Sequence, residues 1–320
     1  IALGNSRSNP GESGGDDMKN DLYDVAIIGG GPAGLEASLV LARTRKRIIV
    51  FDDPQPARNS ASHGVHNLLG LDGLRPAEIR EIAWKQIAMY QSAEHRRERV
   101  TNIGKADNDY FDVTGEIGSS IRAKHVILAV GYHDVYPAIP GFAECWGHSI
   151  IPCPYCDGYE HRDRVWGVVA TSARDALHFP ALAQNWTSDI KLLVQPDVSL
   201  DPVYQDNLIA SGIAVHAGEI THIHHRNGNV EGVSLATGER IAVDTLLWVP
   251  PKEPVPLVRT LADQLGLAVD DEGYVITDDS QRTNVARLWA AGDVQNGRWA
   301  LDAVYTGGTV ANMIIRTWYQ

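Results

Sequence analysis

Long apolar runs are missing from this chain of 320 residues. No stretch of eighteen or more apolar residues occurs, so no segment reads as a membrane-spanning helix. Positive charge is also short. With 28 Lys and Arg against 40 Asp and Glu, the formal net charge is −12, which repels nucleic acid and anionic membrane surfaces. Small molecules or a protein partner are the expected ligands. Cysteine is scarce too, and an odd total of 3 cannot form the disulfide framework of a small secreted domain. Two of the three lie in a CxxC, which suits catalysis in a reducing compartment, so the cytoplasm is the expected location. The N-terminus lacks the basic-then-apolar order of a signal peptide. Residues 1–17, "IALGNSRSNPGESGGDD", hold almost nothing apolar and are expected to be a disordered extension. Apart from one duplicated β-α-β plan there is no internal repeat, which excludes solenoids and propellers.

What is present is an alternation of short apolar strands with helical stretches. "YDVAII" leads through a glycine-rich turn into the helix "PAGLEASLVLARTR" and on to "RIIVF", a β-α-β unit. A second helix is predicted from Pro76, and "VILAV" reads as a strand buried on both faces. After a break near Pro137 and Pro140 a second series begins, with "VWGVVA", a helix through Leu177 to Gln184, "IKLLV" and "GIAVH". The prolines of "TLLWVPPKEPVP" close it, and the remainder holds "RLWAAGD" and a last helix from about Gly307. The predicted fold class is α/β, with two doubly wound nucleotide-binding-type domains, the second inserted into the first. The boundaries are 18–135 with 254–320 for the first domain and 136–253 for the insertion.

"IIGGGPAG" places Gly29, Gly31 and Gly34 in GxGxxG spacing between a strand and a helix. There the amide hydrogens and the helix dipole favour a pyrophosphate. Asp52 ends the second strand, at the position from which a carboxylate can accept a ribose hydroxyl hydrogen bond. The pair "CPYC", Cys153 and Cys156, admits three readings: half of a zinc site, a structural staple or a redox centre. Zinc calls for a second ligand pair, which the chain lacks, although Cys145, His148 and His161 are near in sequence. A staple over so short a loop constrains the unfolded chain little. Redox chemistry is the expected use, with Cys145 an ordinary buried thiol. "HIHH" at 222–225 reads as surface histidines before a hairpin turn, and "EHRRERV" at 94–100 as a solvated helix end. No metal is expected.

"IIGGGPAGLEASLVLAR", "VILAVGYHDVYPAIPG", "CPYCDG" and "LWAAGDV" occur in the order and spacing of the low-molecular-weight thioredoxin reductase family, which the chain resembles from Met18 onward. The resemblance implies FAD at the first site, with Gly131 on a cofactor-facing turn and Asp293 at the ribityl and phosphate region. Asn59 and the segment Arg298, Trp299 and Ala300 stand where that family contacts the flavin. It further implies that Cys156 meets the flavin, Cys153 exchanges with the outside disulfide, and Asp157 handles the proton. A carboxylate beside the pair can protonate a leaving thiolate, particularly where burial raises its pKa. The plainer reading of Asp157 is a helix N-cap. A homodimer and a thioredoxin-like partner are implied as well.

The family's second fingerprint, for NADPH, is missing. Ala170, Thr171, Ser172 and Ala173 occupy the place of its glycines, and "QPDVSLDP" after "IKLLV" has no arginine for a 2′-phosphate. NADPH is therefore not the expected donor. Two relatives suggest substitutes: pyridine-nucleotide-independent reductases fed by ferredoxin, and gliotoxin-type oxidases that form small-molecule disulfides at the expense of oxygen. "GYEHRDR" resembles the oxidases, whereas Asp157 directly after the second cysteine is as in the reductases. The leading expectation is an FAD-dependent disulfide oxidoreductase acting on a thioredoxin-like protein. The alternatives are a dithiol oxidase acting on a small dithiol, and a non-catalytic redox sensor. The tail "TWYQ" adds the expectation that Trp318 or Tyr319 stacks on the flavin.

Overall fold

A computed structural model describes residues 22–297 and 299–319. The expected extension at 1–17 and Arg298 lie outside the described residues. The chain opens with β1 (Leu22–Ile28), α1 (Pro32–Arg43) and β2 (Ile48–Phe51). α2 (Pro76–Ile87) leads to β3 (Ala93–Arg96), β4 (Val100–Lys105), β5 (Phe111–Gly115) and β6 (Ser120–Leu128). A short strand, β7 (Tyr132–Asp134), precedes the one-turn helix α3 (Phe142–Cys145), β8 (Ile150–Ile151) and α4 (Pro154–Asp157), which carries the cysteines. There follow β9 (Trp166–Ala170), α5 (Ala173–Ala183), β10 (Ile190–Val194), α6 (Pro202–Ala210) and β11 (Ala214–Ala217). A meander of β12 (Ile220–Arg226), β13 (Asn229–Leu235) and β14 (Arg240–Ile241) leads to β15 (Thr245–Leu247) and β16 (Lys252–Pro254). The chain finishes with α7 (Pro256–Leu265), β17 (Leu288–Ala290) and α8 (Ala300–Arg316).

Two main sheets result. The first has the order β3-β2-β1-β6-β5-β4, with β17 added against the second half of β6. The second, β11-β10-β9-β15-β8, is parallel throughout and is made only of residues 150–247. β7 and β16 pair antiparallel where the chain leaves and re-enters the first sheet, and we propose the domain division at this ribbon. β1 shows why the first sheet is double-sided. Val25 and Ile27 face a core shared with Leu41 of α1 and Ile314 of α8, while Ala26 and Ile28 face Phe111 and Leu261. Such a strand must read as a continuous apolar run.

Three expectations need correction. "EHRRERV" is not a helix end: residues 93–96 form β3, parallel to β2, because Trp84 of α2 stacks on His95 with ring centroids 3.7 Å apart. The last helix begins at Ala300 rather than near Gly307. Trp318, finally, does not stack at the cofactor turn. It follows the end of α8 and packs edge-on against buried His125, with the Lys46 ammonium 4.0 Å from the ring centroid. Tyr319 is exposed. The histidines of "HIHH" lie on β12, and Asn227 and Gly228, both at positive φ, make the hairpin turn to β13.

Candidate functional site

The glycine-rich turn is shaped by contacts that exclude a side chain. Gly29 adopts φ +118, and a Cβ there would lie 2.2 Å from the carbonyl oxygen of Ala129 on the neighbouring strand. At Gly34 a Cβ would lie 1.9 Å from the Gly29 carbonyl oxygen, so this glycine brings helix and turn together. Gly31 differs: a Cβ there would meet nothing within 4 Å, and the residue borders a cavity of about 1520 Å³. Gly31 is also the N-cap of α1, with no side-chain cap and no acid in the first turn. The first amides of a twelve-residue helix are thus left for an outside acceptor.

Every described site residue predicted from the sequence lines this cavity except Gly34, which lies behind the turn. Asp52 sits at the end of β2, buried. Its Oδ2 accepts from Arg80 at 2.6 Å and lies 3.4 Å from His95 Nε2. Burial opposes its ionisation, but the hydrogen bonds from His95 and Arg80 outweigh that and hold the carboxyl below its usual range. Arg80 also donates to the Gly30 carbonyl, tying the acid to the turn. Neither partner was legible from spacing: Arg80 is 28 residues from Asp52 in sequence, and His95 acts from a strand the sequence did not reveal.

Asn59 and its neighbour Arg58 also line the cavity. Arg58 donates through Nε to Asp134 Oδ2 at 2.6 Å and has a terminal nitrogen 3.6 Å from Asp293 Oδ2. Burial raises the Asp293 carboxyl above its usual range against the pull of Arg58 and Lys252. Asp134 Oδ1 is buried with no hydrogen-bond partner among the described residues, an acceptor left for a donor from outside the chain. Gly131, at φ +70, borders the same space. So do Trp299 and Ala300 at the start of α8, and the Trp299 ring meets Tyr155 of the CxxC edge-on at 5.8 Å.

Cys153 and Cys156 form a disulfide facing this cavity. Cys153 is the N-cap of α4, and Asp157 closes that turn, its amide bonded to the Cys153 carbonyl at 3.2 Å. Asp157 is therefore not an N-cap. Its carboxyl is pushed up to about 6, first by burial and then by Glu160, with His66 pulling the other way. Cys145 is fully buried, and burial pushes its thiol up to about 11. No group of three or more metal-ligating side chains occurs among the described residues.

The turn after β9 is built differently from the one after β1. Ser172 caps α5, its hydroxyl accepting from the Asp175 amide at 3.1 Å. The Asp175 carboxylate accepts in turn from the Thr171 amide at 3.2 Å and the Thr171 hydroxyl at 3.0 Å. Two amides of this turn, those of Thr171 and Asp175, are occupied by the chain itself, and one occupant is an anion.

The profile of the pyridine nucleotide-disulphide oxidoreductases matches residues 23–312. The chain belongs to this family. It is similar to thioredoxin reductase tcpT of Claviceps purpurea, at 32% identity over 92% of this chain and 94% of the relative. Among solved structures it resembles the putative thioredoxin reductase TrxB of Bacillus anthracis, at TM-score 0.85 and 30% identity, covering 92% of this chain and 98% of the other. It also resembles an oxidoreductase from Agrobacterium tumefaciens, at TM-score 0.84 and 31% identity over 93% and 98%. This oxidoreductase is of the low-molecular-weight thioredoxin reductase type, whose members are FAD-binding, flavin-dependent disulfide oxidoreductases. The residues present fit that cofactor: Gly31 opens on the cavity, the α1 amides are uncapped, and Asp134 Oδ1 awaits a donor.

Proposed function

We propose that this chain is an FAD-dependent thiol–disulfide oxidoreductase in which Cys153 and Cys156 exchange electrons with a thioredoxin-like protein, and that it does so without NADPH. The observation that carries the reading is that the cysteine disulfide and the open glycine turn border one cavity, while the second turn is filled by Ser172 and Asp175. Gly29, Gly31 and the α1 amides would hold the cofactor diphosphate, with Gly34 packing the turn. Asp52 would take a ribose hydroxyl, and Asn59, Gly131, Asp293, Trp299 and Ala300 would surround the rest. Arg298, which lies outside the described residues, keeps its proposed place beside them. FAD, when bound, supplies a ring able to take or give an electron pair. The chain's own part is thiol chemistry. Cys153, the N-cap residue at the edge of α4, exchanges with the partner's sulfur, and Asp157 in its acid form protonates the thiolate that leaves in that exchange. Ferredoxin is the donor class proposed in place of NADPH.

A second reading has its own support. His178, Phe179 and Leu182 of α5 line the same cavity as the cysteines, giving a small apolar dithiol a wall to rest on. On that reading the enzyme makes a small-molecule disulfide and passes the electrons to oxygen. The test of both is anaerobic reduction of the flavin-loaded protein with NADPH, reduced ferredoxin and a small dithiol in turn, followed by oxidised thioredoxin or oxygen. Bleaching by ferredoxin and turnover of thioredoxin support the first reading; bleaching by dithiol and recolouring by oxygen support the second. Rapid bleaching by NADPH would overturn the donor assignment in both.

A further inference from the structure

Between the two domains, one histidine is held beside the cysteine turn by contacts that neither reading above uses. His66 borders the cavity, with Nδ1 3.5 Å from Asp72 Oδ2 and Nε2 3.7 Å from Glu160 Oε1. The loop that carries it is tied to both ends of this chain of groups. Asp72 Oδ1 accepts from the Asn67 amide at 2.8 Å, and the Asn67 side chain donates to the Tyr155 carbonyl, inside the CxxC, at 2.6 Å. The side chains of Asp72 and Glu160 are 63% and 40% exposed and that of His66 only 23%, so the imidazole is the shielded member of the row, with a solvent-reaching carboxylate on either side. Asp157, the acid next to Cys156, feels His66 and Glu160 with opposite sign. An imidazole between two carboxylates can accept a proton at one nitrogen and release it from the other.

We propose that His66 is the proton carrier of the cysteine pair, passing protons between solvent or an incoming thiol and Asp157. The inference rests on the thiol–disulfide reading of the site. In the step concerned, a substrate thiol loses its proton to His66 and its sulfur attacks Cys153 Sγ. A substrate–Cys153 bond forms, the Cys153–Cys156 bond breaks, and the electron pair remains on Cys156 Sγ. Asp157 gives that sulfur a proton and recovers one from His66, so charge and protons balance without a further reactant. His66 thus takes the proton of the incoming thiol directly and acts on the leaving sulfur of Cys156 only through Asp157, as a relay residue.

The experiment uses flavin-loaded protein with dithiothreitol as probe, trapping Cys153 and Cys156 with iodoacetamide and reading their masses over time. Each rate is divided by the thiolate fraction of the dithiol at that pH. H66Q should slow reduction about ten-fold near pH 6 and move the midpoint of the remaining profile to higher pH, because the interaction with His66 that lowers the Asp157 carboxyl is gone. E160Q should move it to lower pH, because an anion is gone. D72N, altering an exposed carboxylate and leaving the imidazole in place, should lower the rate less than H66Q. Opposite shifts together with a ten-fold loss in H66Q that exceeds the loss in D72N, with unchanged flavin absorbance, support the relay, and opposite shifts without that loss overturn it. Shifts in one direction, or none, overturn it. A wild-type disulfide that fails to exchange with the dithiol at any pH overturns the proposed function itself.

Discussion

The turn after β1 and the turn after β9 occupy equivalent places in two β-α-β units, yet one is emptied and the other filled. At the first, Gly29 and Gly34 remove side chains so that strand, turn and helix can close up, and the α1 amides carry no internal cap. At the second, Thr171, Ser172 and Asp175 are joined by hydrogen bonds that take up the Thr171 and Asp175 amides. The same backbone device serves ligand binding when its donors are left unpaired and helix stability when they are paired. Evolution of a binding site into a structural cap needs only short polar side chains, and the fold around it can stay as it was.

The comparison can be broken most severely at Gly34. G34V puts side-chain atoms where a Cβ already lies 1.9 Å from the Gly29 carbonyl oxygen, and should cost about 3–5 kcal/mol and yield colourless protein. A yellow, stable variant would show that the turn does not hold the cofactor. Next in size is the contrast between two acids: the Asp175 carboxylate accepts two hydrogen bonds from Thr171, whereas the Asp157 carboxyl is pushed up to about 6. The folded state binds the Asp157 proton more tightly than the unfolded chain does, so its contribution to stability is present below the unfolded pKa, near 4. It is lost as pH rises through about 6. D157N should remove that loss and be more stable than wild type by about 2 kcal/mol at pH 8. Urea melts at pH 4 and pH 8 check this, and equal stabilities at pH 8 would sink it.

Smaller still is G31A. Its Cβ would meet no protein atom within 4 Å, so the melting of cofactor-free protein should stay within about 0.5 kcal/mol of wild type. Flavin affinity, read by fluorescence titration, should fall by roughly ten-fold, because the methyl group enters the space a diphosphate approaches. S172A should produce the reverse pattern: about 1 kcal/mol of stability lost with the α5 cap, and flavin affinity unchanged. If S172A instead weakened flavin binding, the division of labour between the two turns would be wrong.

How much of this was legible depended on the range of the interaction. The two sheets followed from apolar periodicity, since a stretch buried on both faces must be apolar throughout, as residues 25–28 of β1 and 126–128 of β6 are. The glycine turn was legible because its three glycines fall within six residues, although the constraint on Gly29 comes from the distant Ala129 carbonyl. β3 was not, because "AEHR" carries no strand pattern and is held by Trp84 stacking on His95 across the sheet edge. Arg58 with Asp134, 76 residues apart, and Arg80 with Asp52 were equally hidden, since charge pairing leaves no periodic trace. The absence of phosphate-binding glycines after β9 was plain from the letters. That Asp175 turns back to occupy their donors required coordinates.

β17 has a consequence for biosynthesis. It is contributed by residues 288–290, yet it pairs with Leu128 and its neighbours on β6, beside the cradle begun by residues 29–34. A ribosome making this protein must therefore finish the cysteine-bearing insertion first. Only then can the segment with Asp293 and the packing helix emerge to seat against structure made nearly the whole chain earlier. Until that moment the nascent chain offers half a berth, and flavin capture is an act of completed translation rather than a guide to folding along the way.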